Sequence, residues 1–436
     1  LKSIGTDKKN ICFLKENKMK TIQSMIYLSR GSLPSKMANS IQVAKMAQAF
    51  SQKIKDFELV TCGDICSMLR GMDAEFQNWY GLQKKFKLVR LPMHIRVKYP
   101  FPANYDNQNF YKLAVLYACL KSPSLVFTRS PNIAAILLKI GIPVLWEWHE
   151  PVREDSVSTY REFFINKNLI GVVTTLPQLA ENYNKHGLPT EKILVYPNGV
   201  DLMNFLPYQE KILARQKLSL PQDVKIIVYS GHLYNYKGIP TVLATARLLP
   251  EYKFILVGGW SDDVIRVKKD CEENNLNNVY IVGHVSQSDL ASYLYAADIL
   301  ILPTSKSWDL AEATCPLKMF DYMATKRPIV ASALPTIMTV LRDQHNALLV
   351  EPDEPVSFKK AIVTLFENSL LASTIAERAF QTVKNLTWDS RAESILQFAA
   401  KRLQEVDKNA TDLRRSLLKY STQQTVSALK YRLFLP

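Results

Sequence analysis

The sequence lacks the features that mark disulfide-built, zinc-built or membrane-spanning proteins. Its six cysteines are scattered over 436 residues, and only Cys62 and Cys66 stand close, at C-x-x-x-C spacing. With no second pair and no nearby histidine this is a poor zinc pattern, so free thiols in a reducing cytosol are expected. No apolar run is long enough to cross a bilayer; the nearest, Ile133 to Trp148, is broken by Lys139, Gly141, Pro143 and Glu147. No signal peptide is evident. The expectation is a cytoplasmic protein that at most lies on a membrane. The first strand is not followed by a full G-x-G-x-x-G, so dinucleotide binding gains no support. No D-x-D occurs anywhere to carry a divalent metal on a diphosphate.

What is present is ordinary in amount and unusual in charge. A hydrophobic share of 47% and a charged share of 22% suit a soluble globular chain, long enough for two domains that each bury a core. The net charge of +15 favours an anionic partner: a nucleotide-sugar, an acidic membrane surface, or nucleic acid. Nucleic acid ranks low, because no reader motif accompanies the charge.

Along the chain, residues 1–20 are lysine-rich and aperiodic, and Met19 stands directly before the first core strand; they are left out of the fold reading as a basic extension. Ile22 to Leu28 reads as a strand, Ser29 to Ser35 as a loop, and Ala38 to Ser51 as a helix capped by Asn39 or Ser40. Strand, glycine-containing loop and capped helix open a doubly wound sheet. Between Arg70 and Pro102, basic residues such as Lys84, Lys87, Arg90 and Arg96 interleave with Phe86, Leu88, Met93, Ile95 and Phe101. That suits an anionic membrane interface or acceptor, and equally a basic loop whose apolar residues are core. Ser124 to Trp148 continues as strand, helix, strand and ends at His149, a position where a lone histidine is by default a structural hydrogen-bonder.

A second α/β run begins near Lys225 and leads to the most informative stretch, Cys315 to Ser332 (CPLKMFDYMATKRPIVAS). It reads as loop, amphipathic helix, turn and buried strand. A helix N-terminus suits a diphosphate, Lys318 adds full charge, and Asp321 one turn on could accept from a pair of sugar hydroxyls.

Several phrases together carry a family resemblance. Asp321-Tyr322-Met323-Ala324 followed by Pro328 to Ser332, the phrase Pro197-Asn198-Gly199-Val200-Asp201 with Phe205, and Gly231-His232-Leu233 with Lys237-Gly238 occur in order. They resemble glycosyltransferase family 4, the retaining nucleotide-sugar-dependent class with the GT-B fold. The resemblance implies two Rossmann-like α/β domains facing across a cleft, with a C-terminal helix crossing back. The expected boundaries are 21–205 for an acceptor domain, 206–223 for a hinge, read from Pro207, Pro221 and several charges, 224–388 for a nucleotide-sugar-binding domain, and 389–436 for the crossing helix and a basic tail.

It also implies roles. Lys237, His232 and Lys318 would meet the donor phosphates, Gly231 the turn beside them, Asp321 the ribose, and His284 with Val285 the base. His149 and Glu312 would contact the transferred sugar, and Gly31 and Ser32 would form the first loop, beside the acceptor. His232 stands where the family has arginine, which loses a permanently charged bidentate donor. Counting back from Asp321, the family's first paired glutamate falls on Ala313, and Glu312 is one residue off. The implied activity is transfer of a sugar to a hydroxyl of a glycan or lipid-linked acceptor, without cofactor or metal. A sugar-nucleotide epimerase and a degenerate GT-B scaffold or glycan-binding partner are the alternatives.

Overall fold

The computed structural model describes residues 22–35, 37–63, 71–92, 108–154 and 157–405. The expectations for the basic extension, for Met93 to Phe101 as a membrane surface and for the basic tail fall outside these residues. Contacts divide the chain into two compact units. One holds the described residues up to Phe76, Lys84–Tyr196 and the chain from Ala392; the other holds Gln77–Gln83 and Pro197–Arg391.

In the first unit the elements run β1 (Ser24–Ser32), α1 (Ala38–Ser51), β2 (Asp56–Gly63), α2 (Ala74–Tyr80, of which the residues from Gln77 belong to the second unit), β3 (Lys87–Pro92), α3 (Gln108–Lys121), β4 (Leu125–Thr128), α4 (Pro131–Lys139), β5 (Val144–Glu147), α5 (Val157–Phe164), β6 (Leu169–Thr174), α6 (Pro177–Lys185) and β7 (Ile193–Val195). The strands pair in parallel in the order β3-β2-β1-β4-β5-β6-β7. Strands β4, β5 and β6 are buried along their whole length, which is why they read as unbroken apolar runs. Gly171 on β6 is required by close packing, since a Cβ there would lie 2.5 Å from the ring of Phe398.

Two local expectations change. Helix α1 is preceded by Met37, with no side-chain cap. The Ser40 hydroxyl, expected as a cap, instead donates back to the carbonyls of Ser35 and Met37 at 2.7 Å each. In the basic segment, Phe76, Phe86, Leu88 and Arg90 are buried, so residues 71–92 follow the core reading.

The second unit runs α7 (Lys211–Lys217), β8 (Ile226–Ser230), α8 (Ile239–Arg247), β9 (Lys253–Val257), α9 (Ser261–Glu273), β10 (Val279–Gly283), α10 (Gln287–Ala296), β11 (Ile299–Leu302), α11 (Leu317–Ala324), β12 (Ile329–Ser332), α12 (Pro335–Met338), β13 (Leu348–Val350), α13 (Pro355–Glu367), α14 (Ser369–Val383) and then α15 (Trp388–Glu405), which leaves the unit after Arg391. Its parallel order is β10-β9-β8-β11-β12-β13. Counted from its own first strand, this matches the order of the first six strands of the other unit. Both sheets therefore reverse direction once, between β1 and β4 and between β8 and β11, and the carboxyl ends there are where such sheets bind ligands.

The core under β8, β9 and β11 is built from Ile227, Phe254, Leu256, Ile299 and Ile301 with Phe358 and Ile362. Each such side chain contributes about 1.5–3 kcal/mol relative to exposure. Residues 206–223, expected as a hinge, belong to this unit. Arg215 is buried, donating to the carbonyls of Ala296 (2.9 Å), Gln222 (2.8 Å) and Val224 (3.0 Å) and to the Asp298 carboxylate (2.7 Å). A buried guanidinium so satisfied fixes the segment to α10 and β11. The chain passes between the units at Tyr196 and Pro197 rather than at 205.

Candidate functional site

At the carboxyl end of β8 the chain turns through Gly231, whose φ of +125° no side chain adopts easily. Its N–H donates to the Val257 carbonyl at 2.8 Å, joining the turn to the end of β9. Seven residues on, Gly238 (φ +85°) opens α8 with its Cα pressed on the end of β11: a Cβ there would fall 1.6 Å from the Pro303 carbonyl oxygen. These two glycines bring the β8 turn against the loops that follow β9 and β11.

Three basic side chains gather here. Lys237 Nζ sits 3.8 Å from the centroid of the Trp308 ring, which itself stacks on Tyr236 at 4.8 Å and 23°. Burial pushes the Lys237 pKa down to about 8. Lys318, on the first turn of α11, places Nζ 3.8 Å from the centroid of Tyr229. Burial, and then the charge of Lys237, hold its pKa well below the usual lysine value. The His232 ring stacks with those of Tyr234 (5.0 Å, 14°) and Trp260 (5.7 Å, 17°), which are joined by a 2.7 Å hydrogen bond from Trp260 Nε1 to the Tyr234 hydroxyl. Burial, and then Lys318 and Lys237, lower its pKa, and its Nδ1 is buried without a hydrogen-bond partner among the described residues. Neither ammonium meets a carboxylate among those residues. The site is electropositive and lined by rings; the carboxylate acting on His232 is Asp263, which is itself paired with Arg266.

Two bonds set α11 in place. The Ser230 N–H donates to the Tyr322 hydroxyl at 2.7 Å, and buried Asn198 donates to the Cys315 carbonyl at 2.8 Å, one residue before the helix N-cap. Asn198 belongs to the Pro197 to Asp201 phrase, which begins where the chain passes between the units. The backbone of that phrase joins the start of α15: Val200 N–H donates to the Leu386 carbonyl (3.0 Å), and Trp388 N–H to that of Val200 (3.3 Å).

Gly231, His232, Lys237 and Lys318 are thus brought together, and Asp321 lies one turn beyond Lys318, partly exposed. His284 is exposed and stacks on Trp79 at 5.6 Å and 26°, with Val285 partly buried next to it. Glu312 does not join the cluster in its sequence-assigned form. It is exposed in the single turn Ala311–Ala313, whose two alanines are buried, so Ala313 faces inward and Glu312 outward. The expectation missed the rings of Tyr229, Tyr234, Tyr236, Trp260 and Trp308. The aromatic density of the stretch Tyr234 to Tyr236 was the available signal.

In the first unit, Gly31 and Ser32 end β1 rather than forming a loop, after a shift in register between Ser29 and Ser32. His149 follows β5 and is engaged on both sides: Nε2 lies 2.9 Å from Glu147 Oε1, and Nδ1 lies 3.1 Å from an Arg129 nitrogen. Since guanidinium only donates, Nδ1 accepts and Nε2 carries the proton. Gln42 donates to the same Glu147 oxygen at 2.8 Å and accepts from Arg129. Among the described residues no three His, Cys, Asp or Glu side chains gather as they would around a metal ion.

Comparison with known proteins fits this geometry. The chain covers 88% of its length on sucrose-phosphate synthase from Thermosynechococcus elongatus, with TM-score 0.69 at 19% identity and all of that chain matched. Against the Anabaena protein HepE in complex with UDP the TM-score is 0.66 at 15% identity, with 88% of this chain and 100% of that one covered. The two parallel-sheet units are therefore those of the GT-B fold. Residues 224–368 match the family model described as Glycosyl transferases group 1, and the chain carries a domain of that group. A curated relative, the D-inositol 3-phosphate glycosyltransferase of a Nocardioides species, is 29% identical over 239 residues, 50% of each chain. The chain spans about half the length of the curated relatives it matches first.

Proposed function

We propose that this protein is a retaining, metal-independent glycosyltransferase that moves a sugar from a nucleotide-sugar to a hydroxyl of a glycan or lipid-linked acceptor. The observation that carries the reading is the meeting of Lys237, Lys318 and His232 at the switch point of the second sheet, where neither lysine is in salt-bridge contact with a carboxylate among the described residues. In such a reaction the bond between the sugar C1 and the diphosphate oxygen breaks, and the acceptor oxygen bonds to C1 as its proton passes to the departing diphosphate. Charge develops on the leaving diphosphate. Two ammonium groups and the N-terminus of α11 then stabilise it most at the moment of cleavage, which lowers the barrier and not only the binding energy. Asp321 is assigned to the ribose, His284 and Val285 to the base, and the first unit, with Gly31, Ser32 and His149, to the acceptor and the transferred sugar.

Thermal melting of the protein against UDP, GDP, ADP and CMP and their sugars, in EDTA, tests the donor site. A rise in Tm with one base, reduced in Lys237→Ala, supports it; no rise with any of them overturns it.

A second reading is a nucleotide-sugar-binding partner without turnover. It is favoured by His149, whose two ring nitrogens are both engaged, and by the outward-facing Glu312. Donor hydrolysis separates the two, since only an enzyme releases nucleotide from its donor.

A further inference from the structure

The three basic groups at the β8 turn share one feature: each rests on an aromatic face, and neither lysine rests on an acid. Lys237 lies over Trp308, Lys318 over Tyr229, and His232 stacks with Tyr234 and Trp260. Elsewhere in the unit some cations are held by carboxylates, as Lys211 and Arg215 are by Asp298, and others, Lys225 and Lys253, lie over rings away from the β8 turn. We propose that Trp308 and Tyr229 are positioning residues for phosphate binding, holding the two lysines by their ring faces so that both stay oriented and uncompensated. The proposal deepens the donor-site reading and rests on it.

The physical argument compares two ways of holding an ammonium. A carboxylate partner would fix the lysine and also cancel its charge, and an arriving diphosphate would have to break that ion pair and leave the carboxylate beside its own negative oxygens. An aromatic face attracts the cation through the ring quadrupole, more weakly and without net charge. It therefore orients the lysine and repels no anion. Trp308 is suited to this because Tyr236 stacks on it and itself lies 5.2 Å from the Lys237 ammonium, and the Ser305 N–H donates to the Tyr236 carbonyl at 3.2 Å, tying the loop that carries Trp308 to the turn that carries Lys237. Tyr229 is fixed by its hydroxyl, which donates to the His232 carbonyl at 2.6 Å.

Isothermal titration of the full chain with UDP, GDP and ADP tests this on Trp308, which is partly exposed and tolerates change better than buried Tyr229. Trp308→Leu is expected to weaken binding roughly tenfold and Trp308→Phe, which keeps a ring face, by less than about threefold. Because Trp308 acts through Lys237, combining Trp308→Leu with Lys237→Met should weaken binding no further than Lys237→Met alone. Melting curves establish that each variant is folded, and Trp308→Gln replaces Trp308→Leu should the latter not fold. Unchanged affinity in the ring-less variant, or additive losses in the double variant, overturns the proposal while leaving the donor site standing. Failure of the wild type to bind any of the three nucleotides overturns the donor-site reading and the proposal together.

Discussion

The ammonium nitrogen of Lys318 lies 2.8 Å from the point where a Cβ on Gly231 would stand. The glycine thus makes the room that the lysine fills. Gly231→Ala must displace Lys318 and also strain a backbone at φ +125°, at a cost of about 1–3 kcal/mol. The expected result is a lowered Tm together with nucleoside diphosphate affinity reduced by roughly tenfold or more. A variant that melts lower but binds as the wild type would separate the glycine from the lysine's role.

Affinity for a nucleoside diphosphate should depend on pH with a definite sign. In the free protein Lys237 titrates at about 8 and Lys318 well below its usual value, while His232 is also lowered. Bound phosphate favours the protonated forms, so the complex holds more protons than the free site, and binding weakens as pH rises through the free-state pKa. From pH 7 to pH 9 the affinity should fall by about tenfold for the proton on Lys237 alone. Titration across that range checks it; a flat profile would mean the lysines do not meet the phosphates.

Asn198 donates a buried hydrogen bond to the Cys315 carbonyl, just ahead of α11. Asn198→Ala leaves that oxygen unpaired and should cost about 1–3 kcal/mol of stability in denaturant titration. It should also loosen the helix that carries Lys318 and weaken nucleotide binding.

Glu147 is buried and accepts from both Gln42 and His149. Glu147→Ala strands both donors, and a loss of about 2–4 kcal/mol is expected on chemical unfolding. Glu147→Gln, which can still accept, should recover part of it. Equal stability in both variants would show that the network carries no weight.

The alternation of strand and helix was legible because the strands are uninterrupted apolar runs, as in Ile299–Leu302, and because helices such as α4 and α6 open on proline. Helix α9 was not, since only Val267 and Cys271 are buried in it and its pattern is nearly all polar. The charges at Lys237 and Lys318 could be read from their glycine turn and helix start. Trp308 could not be tied to Lys237, because it comes from another loop and cation–π pairing leaves no spacing in the sequence. Glu312 was assigned by its position one residue from the family's glutamate, and a single tight turn sends it outward. The supposed hinge read as a linker from Pro207, Pro221 and its charges, and nothing in that pattern shows that Arg215 is buried against five hydrogen-bond acceptors.

Release of nucleotide from UDP-, GDP- and ADP-sugars in EDTA, measured for the wild type and for Lys318→Met, tests the central claim most directly. The account predicts release from one donor class that drops by roughly a hundredfold in Lys318→Met, as befits a group that stabilises the departing diphosphate. Release that Lys318→Met leaves unchanged, or none from any donor, would contradict it.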